Sequence, residues 1–85
     1  MANIKIIKQF ISIFKNVELI DIIMTEKRIQ ITLKDYLDKG QDFIQDCKAI
    51  EEELFDYILN GGNRGYTTFK LSNDEEYCIL SIFIE

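Results

Sequence analysis

The segment EYCILSIFI, residues 76–84, carries the hydrophobic pattern that most strongly indicates the fold of the chain. Its apolar side chains fall on both faces of an extended strand, and only Ser81 interrupts the second face. A strand that is apolar on both faces is normally covered on both. We therefore expect a central strand, or one at an interface between copies. The first face carries Cys78, Leu80, Ile82 and Ile84, and the second carries Tyr77, Ile79 and Phe83.

Three further strands are predicted before this segment. Residues 66–71 form one of them, joined to the last strand by the polar turn at residues 72–75. Residues 17–33 are predicted to form a hairpin, with a polar turn at residues 25–28. Its second strand alternates strictly between apolar and polar residues, which is typical of a half-buried strand. The alternating apolar residues are Ile29, Ile31 and Leu33.

Two amphipathic helices complete the pattern. The first, residues 3–15, has apolar residues over about half of its circumference and a basic opposite face. The second covers about residues 41–60 and ends at Gly61 and Gly62, because glycine adopts the left-handed cap without strain. Gly40 precedes it as a predicted left-handed glycine. One line of the second helix is apolar: Phe43, Cys47, Ile50, Leu54 and Ile58.

The element order is thus α-β-β-α-β-β. The sequence predicts a two-layer α+β fold, with a four-stranded, mainly antiparallel sheet and both helices packed on one face. All 85 residues are predicted to form a single small domain, residues 1–85.

Composition limits the partners and the compartment. The formal net charge of −5 predicts that the chain repels nucleic acid and anionic membranes. No apolar run approaches the ~20 residues that a membrane-spanning helix needs. We therefore expect a cytoplasmic protein that binds neither a membrane nor nucleic acid directly. The 47% of hydrophobic residues is high for a small core, so some of them are expected to face a partner or a second copy.

No catalytic, metal or cofactor site is predicted. The chain has no histidine, and its two cysteines fall on apolar stripes, where they act as small hydrophobic residues. The glycine-rich segment NGGNRGYTTF, residues 60–69, lies after a helix and before a strand, which is the reverse of a phosphate-binding loop. We expect a protein that is not an enzyme.

The clearest candidate site is a set of carboxylates on the second helix. They fall within an arc of about 120° that contains no lysine. The pairs Asp42/Asp46 and Glu52/Asp56 are like-charged at i, i+4, and each costs a helix roughly 0.2–0.5 kcal/mol. A surface kept at this cost is typical of one that binds a cationic partner. The predicted partner-binding carboxylates are Asp42, Asp46, Glu52, Glu53 and Asp56.

Two other residues, Arg64 and Tyr66, are part of this hypothesis, whereas Glu51 raises a separate question. Arg64 and Tyr66 are predicted to lie exposed at a loop, and both residue types are favoured anchors of interfaces. Glu51 projects toward the apolar side of its helix and needs a cationic partner if it is buried. A lysine of the first helix could supply that partner.

These observations favour a non-enzymatic acidic protein that inhibits or neutralises a larger basic partner, for which a nucleic-acid-binding enzyme is one candidate. Anti-defence inhibitors made by phages or mobile elements, such as anti-CRISPR proteins, belong to this class, as do immunity proteins. The alternative is a self-associating structural or scaffold subunit that forms a homodimer through its C-terminal strand.

Overall fold

The computed structural model describes residues 3–60, 62 and 64–85. The elements follow the predicted order α-β-β-α-β-β, and the α+β fold is confirmed. The strands form one sheet whose neighbours are all antiparallel. The helices and strands are α1 (Ile4–Ile11), β1 (Val17–Met24), β2 (Arg28–Asp35), α2 (Gln41–Ile58), β3 (Gly65–Leu71) and β4 (Tyr77–Ile84).

The sheet consists of two hairpins joined through their second strands, in the order β1-β2-β4-β3. The prediction that the last strand is central is confirmed, because β4 is hydrogen-bonded to β2 on one side and to β3 on the other. Both edges of β4 are therefore occupied. A homodimer formed by pairing β4 with a strand of another copy is incompatible with this order.

The core lies between the helices and one face of the sheet. Every residue of the predicted apolar line of α2 is buried, and Ile7 and Ile11 of α1 belong to the same cluster. The sheet contributes alternate residues of β2 and β4, which leaves the opposite face of these strands without a helix. The sheet residues in this core are Val17, Ile29, Ile31, Leu33, Cys78, Leu80 and Ile82.

Helix α1 is shorter than predicted and ends at Ile11 instead of residue 15. After Ser12 the chain makes tight turns, in which the N–H of Ile13 donates to the carbonyl of Phe10. These turns return Phe14 to the core, where its ring meets that of Phe10 edge to face at 5.3 Å. Ile13 consequently points to solvent and is 69% exposed. The apolar period continued past the helix because Phe14, which follows it, also packs on the core.

Strand β1 contains an irregularity that periodicity alone does not show. Its register against β2 shifts between Leu19 and Asp21, so that Ile20 is an extra residue, as in a β-bulge. Leu19 and Ile22 both face the core as a result, although three positions separate them. The bulge explains why this segment carries more apolar residues than simple alternation allows.

The connection to α2 has the predicted left-handed glycine, since Gly40 has φ +53°. The carboxylate of Asp35 holds this connection by accepting hydrogen bonds from the N–H groups of Lys39 and Gly40. At the other end of α2, Gly62 has φ +95°, whereas Gly61 lies outside the described residues. Both ends of the helix are thus set by backbone turns.

Candidate functional site

The predicted carboxylates of α2 form an acidic stripe, by which we mean Asp42, Asp46, Glu52, Glu53 and Asp56. Their helix turns its buried line toward the sheet, so the stripe lies on the outer side. All are exposed except Asp46, which is half-buried. The helix has no basic residue in its last turn to balance the charge.

Asp46 differs from the rest of the acidic stripe because it has a structural partner. The Nδ2 group of Asn16 donates a hydrogen bond to Asp46 Oδ2 at 3.0 Å. Asn16 immediately precedes β1, so this bond ties α2 to the start of the sheet. Among the described residues, the side-chain hydrogen bonds bring no lysine or arginine to the acidic stripe. Its charge is therefore presented to solvent.

The acidic stripe borders three clefts, two of them on the flanks of α2 and one at its C-terminal end. On the β3 side, Glu52 lies with Glu51 and Lys48 in a cleft of about 450 Å³ that Phe55 and Phe69 also line. The half-buried Glu51 thus has a lysine of its own helix nearby, and the expected lysine of the first helix is not in this cleft.

The second cleft lies between the two helices. It is a narrow groove of about 150 Å³ that Glu53 shares with Leu54 and Tyr57 of α2 and with two residues of α1, Ile6 and Phe10. Ile6 and Tyr57 are 46% and 42% exposed. A carboxylate beside exposed apolar groups is suited to a protein partner that contributes both charge and apolar contact.

A third, open cleft of about 790 Å³ lies at the C-terminal end of α2. It brings Asp56 together with Arg64, two of the predicted site residues that are separate in sequence. The N–H of Glu85 donates to the carbonyl of Arg64 at 2.8 Å, which fixes the backbone at this end of the cleft. The lining is completed by Phe55, Leu59, Asn60, Gly65 and Glu85.

The prediction that Tyr66 lies at a loop beside Arg64 is wrong. Strand β3 begins at Gly65, and Tyr66 points to the face of the sheet that bears no helix. Its ring stacks on that of Phe83 at 4.7 Å and 15° and remains 52% exposed. Successive strand residues alternate in direction, so Tyr66 is separated from the acidic stripe by the thickness of the sheet.

Of that opposite surface, here called the open face, only Tyr66 was among the site residues predicted from the sequence. It combines aromatic rings with cations, because Arg28 lies over the Phe83 ring and Lys34 over the Tyr77 ring, each at 5.8 Å from the ring centroid. The sequence did indicate part of this surface, because the second face of the last strand is apolar. Its cationic neighbours come from β2, which only the strand order places beside it.

The groups with potential for chemistry are few in the part of the chain described. There, no three Cys, Asp or Glu side chains come together as a set that could hold a metal ion. Cys47 of α2 and Cys78 of β4 are free, buried thiols, and the contact with Cys78 together with burial raises the pKa of the Cys47 thiol. A thiol held protonated is a poor nucleophile, so Cys47 acts as a core residue.

Neither described helix has the length and apolar character required to cross a membrane. Comparisons of the chain with protein-family models, with curated protein sequences and with solved structures find no match.

Proposed function

We propose that this protein is a non-enzymatic binding protein that inhibits or neutralises a larger, basic protein partner. The observation that carries the proposal is the acidic stripe, whose exposed carboxylates lie side by side on one helix without a lysine or arginine bonded to them among the described residues. Charge displayed in this way attracts a cationic surface from a distance and increases the rate of association.

The surroundings of the acidic stripe support a protein partner over a small ligand. The inter-helix groove offers exposed apolar groups next to Glu53, and the cleft at the end of α2 adds Arg64 beside Asp56. Protein interfaces typically combine a desolvated apolar centre with a charged rim. We therefore assign partner binding to α2 and its two flanks, and the separate position of Tyr66 removes it from this surface.

A nucleic-acid-binding enzyme is one candidate for this partner, since such enzymes carry positively charged channels. Occupation of the channel by the acidic stripe would exclude the nucleic acid. An anti-defence inhibitor of a phage or mobile element, including an anti-CRISPR protein, and an immunity protein both fit this mechanism. The proposed location is the cytoplasm, which is that of the host if the protein is viral.

Reversal of the exposed charges tests the proposal. The variant Glu52→Lys/Glu53→Lys/Asp56→Lys should retain the fold, because these side chains are exposed, and should lose capture of the partner from host lysate. Capture by the original chain should also fall as salt is raised, since exposed charges are screened over about 10 Å at 0.1 M ionic strength. Quantitative mass spectrometry of the captured proteins measures both effects.

A matched control changes the net charge equally at positions outside α2. The variant Glu26→Lys/Glu75→Lys/Glu76→Lys reverses three exposed carboxylates in the two hairpin turns. It should capture the same partner nearly as well as the original chain. Equal loss of capture in both variants would show that total charge, and not the acidic stripe, drives binding.

A further inference from the structure

The open face of the sheet has an unusual composition for a surface exposed to water. In a sheet with helices on one side, the other side is normally polar. Here the central strand β4 presents Tyr77, Ile79 and Phe83 on it, and the edge strand β1 adds Ile23. Ile79 is 38% exposed and Ile23 is 48% exposed. Several exposed apolar groups on one face of a small protein indicate a contact surface.

The strand register arranges the open face in rows. Paired residues of neighbouring antiparallel strands project to the same face, so a row crosses the whole sheet. One row has Asp21 at the β1 edge and Lys70 at the β3 edge, with Thr32 and Ile79 between them. On one side of this row lie Glu18, Lys34 and Tyr77. On the other side lie first Ile23, Gln30, Ser81 and Thr68, and then Arg28, Phe83 and Tyr66.

We infer that the open face is a homodimer interface, in which the open face of a second copy packs against it about a two-fold axis parallel to the strands. This rotation places β1 over the partner's β3 and β2 over the partner's β4. Asp21 then lies opposite the partner's Lys70. The same symmetry brings Lys34 to the partner's Tyr77 and Arg28 to the partner's Phe83, both of which are favourable cation–aromatic contacts.

The charges favour this axis over the in-plane axis that runs perpendicular to the strands. A two-fold axis perpendicular to the strands would place β2 over the partner's β2 and would bring Arg28 opposite the partner's Lys34. Like charges in a closed interface are unfavourable. With the axis along the strands, no row brings two cations or two carboxylates together. The face is therefore complementary to itself in one orientation, as an isologous interface requires.

The interface is of modest size. Four strands about 4.8 Å apart and roughly 25 Å long have a projected area of about 500 Å². An interface of this size is at the lower end for specific complexes, so we expect a weak dimer whose population depends on protein concentration. Ser81 lies near the centre and is 6% exposed, so its small side chain permits close approach of the second sheet.

This inference does not depend on the proposed function. Face-to-face packing leaves both helix layers outward, and with them both acidic stripes. A dimer would therefore present two partner-binding surfaces on opposite sides. It also differs from the pairing of C-terminal strands, because β4 contributes its face and not its edge.

A charge exchange between Asp21 and Lys70 tests the inference by sedimentation velocity at tens to hundreds of micromolar protein. The original chain should dimerise. Asp21→Lys or Lys70→Asp should each raise the dimer dissociation constant about tenfold, because each change affects two symmetric contacts. The double variant should restore dimerisation. Within one chain these residues lie on opposite edges of the sheet, about 14 Å apart, which is too far to pair.

A second double variant distinguishes this contact from one within the chain. Lys8 of α1 lines a small cleft together with Asp21, so it is the alternative cation for this carboxylate. The variant Lys8→Asp/Asp21→Lys should remain as weakly dimeric as Asp21→Lys alone. Rescue by Lys8→Asp, failure of the Lys70 exchange to rescue, or a monomeric original chain would each overturn the inference. A monomer that binds oligothymidylate through its open face would overturn it as well.

Discussion

Gly65 stands at a close approach of two backbones in the sheet. A Cβ atom built on it would overlap the carbonyl oxygen of Phe83 in β4 and would lie 3.1 Å from Leu59 Cδ1. From the sequence this glycine was only part of a flexible link after the second helix. Its actual role depends on its contact with β4, the last strand of the chain. The local sequence around Gly65 does not predict that contact.

We therefore expect Gly65→Ala to lower the free energy of unfolding by about 1–3 kcal/mol, because β3 must move away from β4 to admit the methyl group. Urea denaturation followed by circular dichroism measures the change. Thr68→Ala, at an exposed position of the same strand, is the control and should cost less than about 1 kcal/mol. A neutral Gly65→Ala variant would mean that β3 accommodates the methyl group without loss.

Asp46 and Tyr66 show where inference from the sequence was incomplete for single residues. Both were predicted to bind a partner. Asp46 also accepts a hydrogen bond from Asn16, a residue 30 positions earlier, and its contact with a partner stays a prediction. Tyr66 was placed at a loop because the strand was expected to begin with it, whereas the strand starts one residue before. The preceding loop was located correctly, but its boundary decides the direction of each following side chain.

Helix α2 is the element that the sequence described best. Its predicted apolar line is buried in full, and its observed end at Ile58 is two residues before the predicted one. Its hydrophobic period was clear because the helix has 18 residues, about five turns, and packs on the core along its whole length. Helix α1 has 8 residues, and there the apolar period extended into a turn.

The two ends of α2 should respond oppositely to removal of a carboxylate charge. Asp56 lies near the C-terminus, where the helix dipole is negative, and follows Glu52 by four residues and Glu53 by three. Asp56→Asn should therefore raise the free energy of unfolding by roughly 0.3–1 kcal/mol. Asp42 lies in the first turn, where a negative charge is favourable, so Asp42→Asn should lower it. Thermal denaturation at low salt measures both.

Both changes in the free energy of unfolding should become smaller at high salt, because exposed charges are screened. Destabilisation by Asp56→Asn would contradict the view that this part of the acidic stripe is kept at the expense of helix stability. It would indicate instead that Asp56 is stabilised by the charge of Arg64, which lines the same cleft.

The two hairpins of the sheet are joined by the pairing of β2 with β4, here called the seam. Helix α2 contacts strands of both hairpins, and the buried residues form a single core, so neither half has a core of its own. We expect one cooperative unfolding transition, as is usual for a small domain. The order of the strands thus determines the cooperativity of the whole chain.

Leu80 lies at the seam opposite Ile31 and is fully buried. Leu80→Ala should lower the free energy of unfolding by about 2–5 kcal/mol, which is a large part of the stability of a domain this small. Urea denaturation at low protein concentration, monitored by both far-ultraviolet circular dichroism and tyrosine fluorescence, measures it. Two separated transitions, one for each hairpin, would contradict a shared core.

The sequence by itself determined the elements and their buried sides, because the hydrophobic period of each segment reports local geometry and the direction of the core. The line of α2, the strand alternation around Ile31, and the absence of a phosphate-binding order around Gly61 and Gly62 were all inferred in this way. Only the tertiary structure decided which strands are neighbours, and hence that Asp21 and Lys70 share a row and that Arg28 lies over Phe83. The physical reason is that pairing between distant segments depends on their contacts with each other, which the period of either segment does not encode.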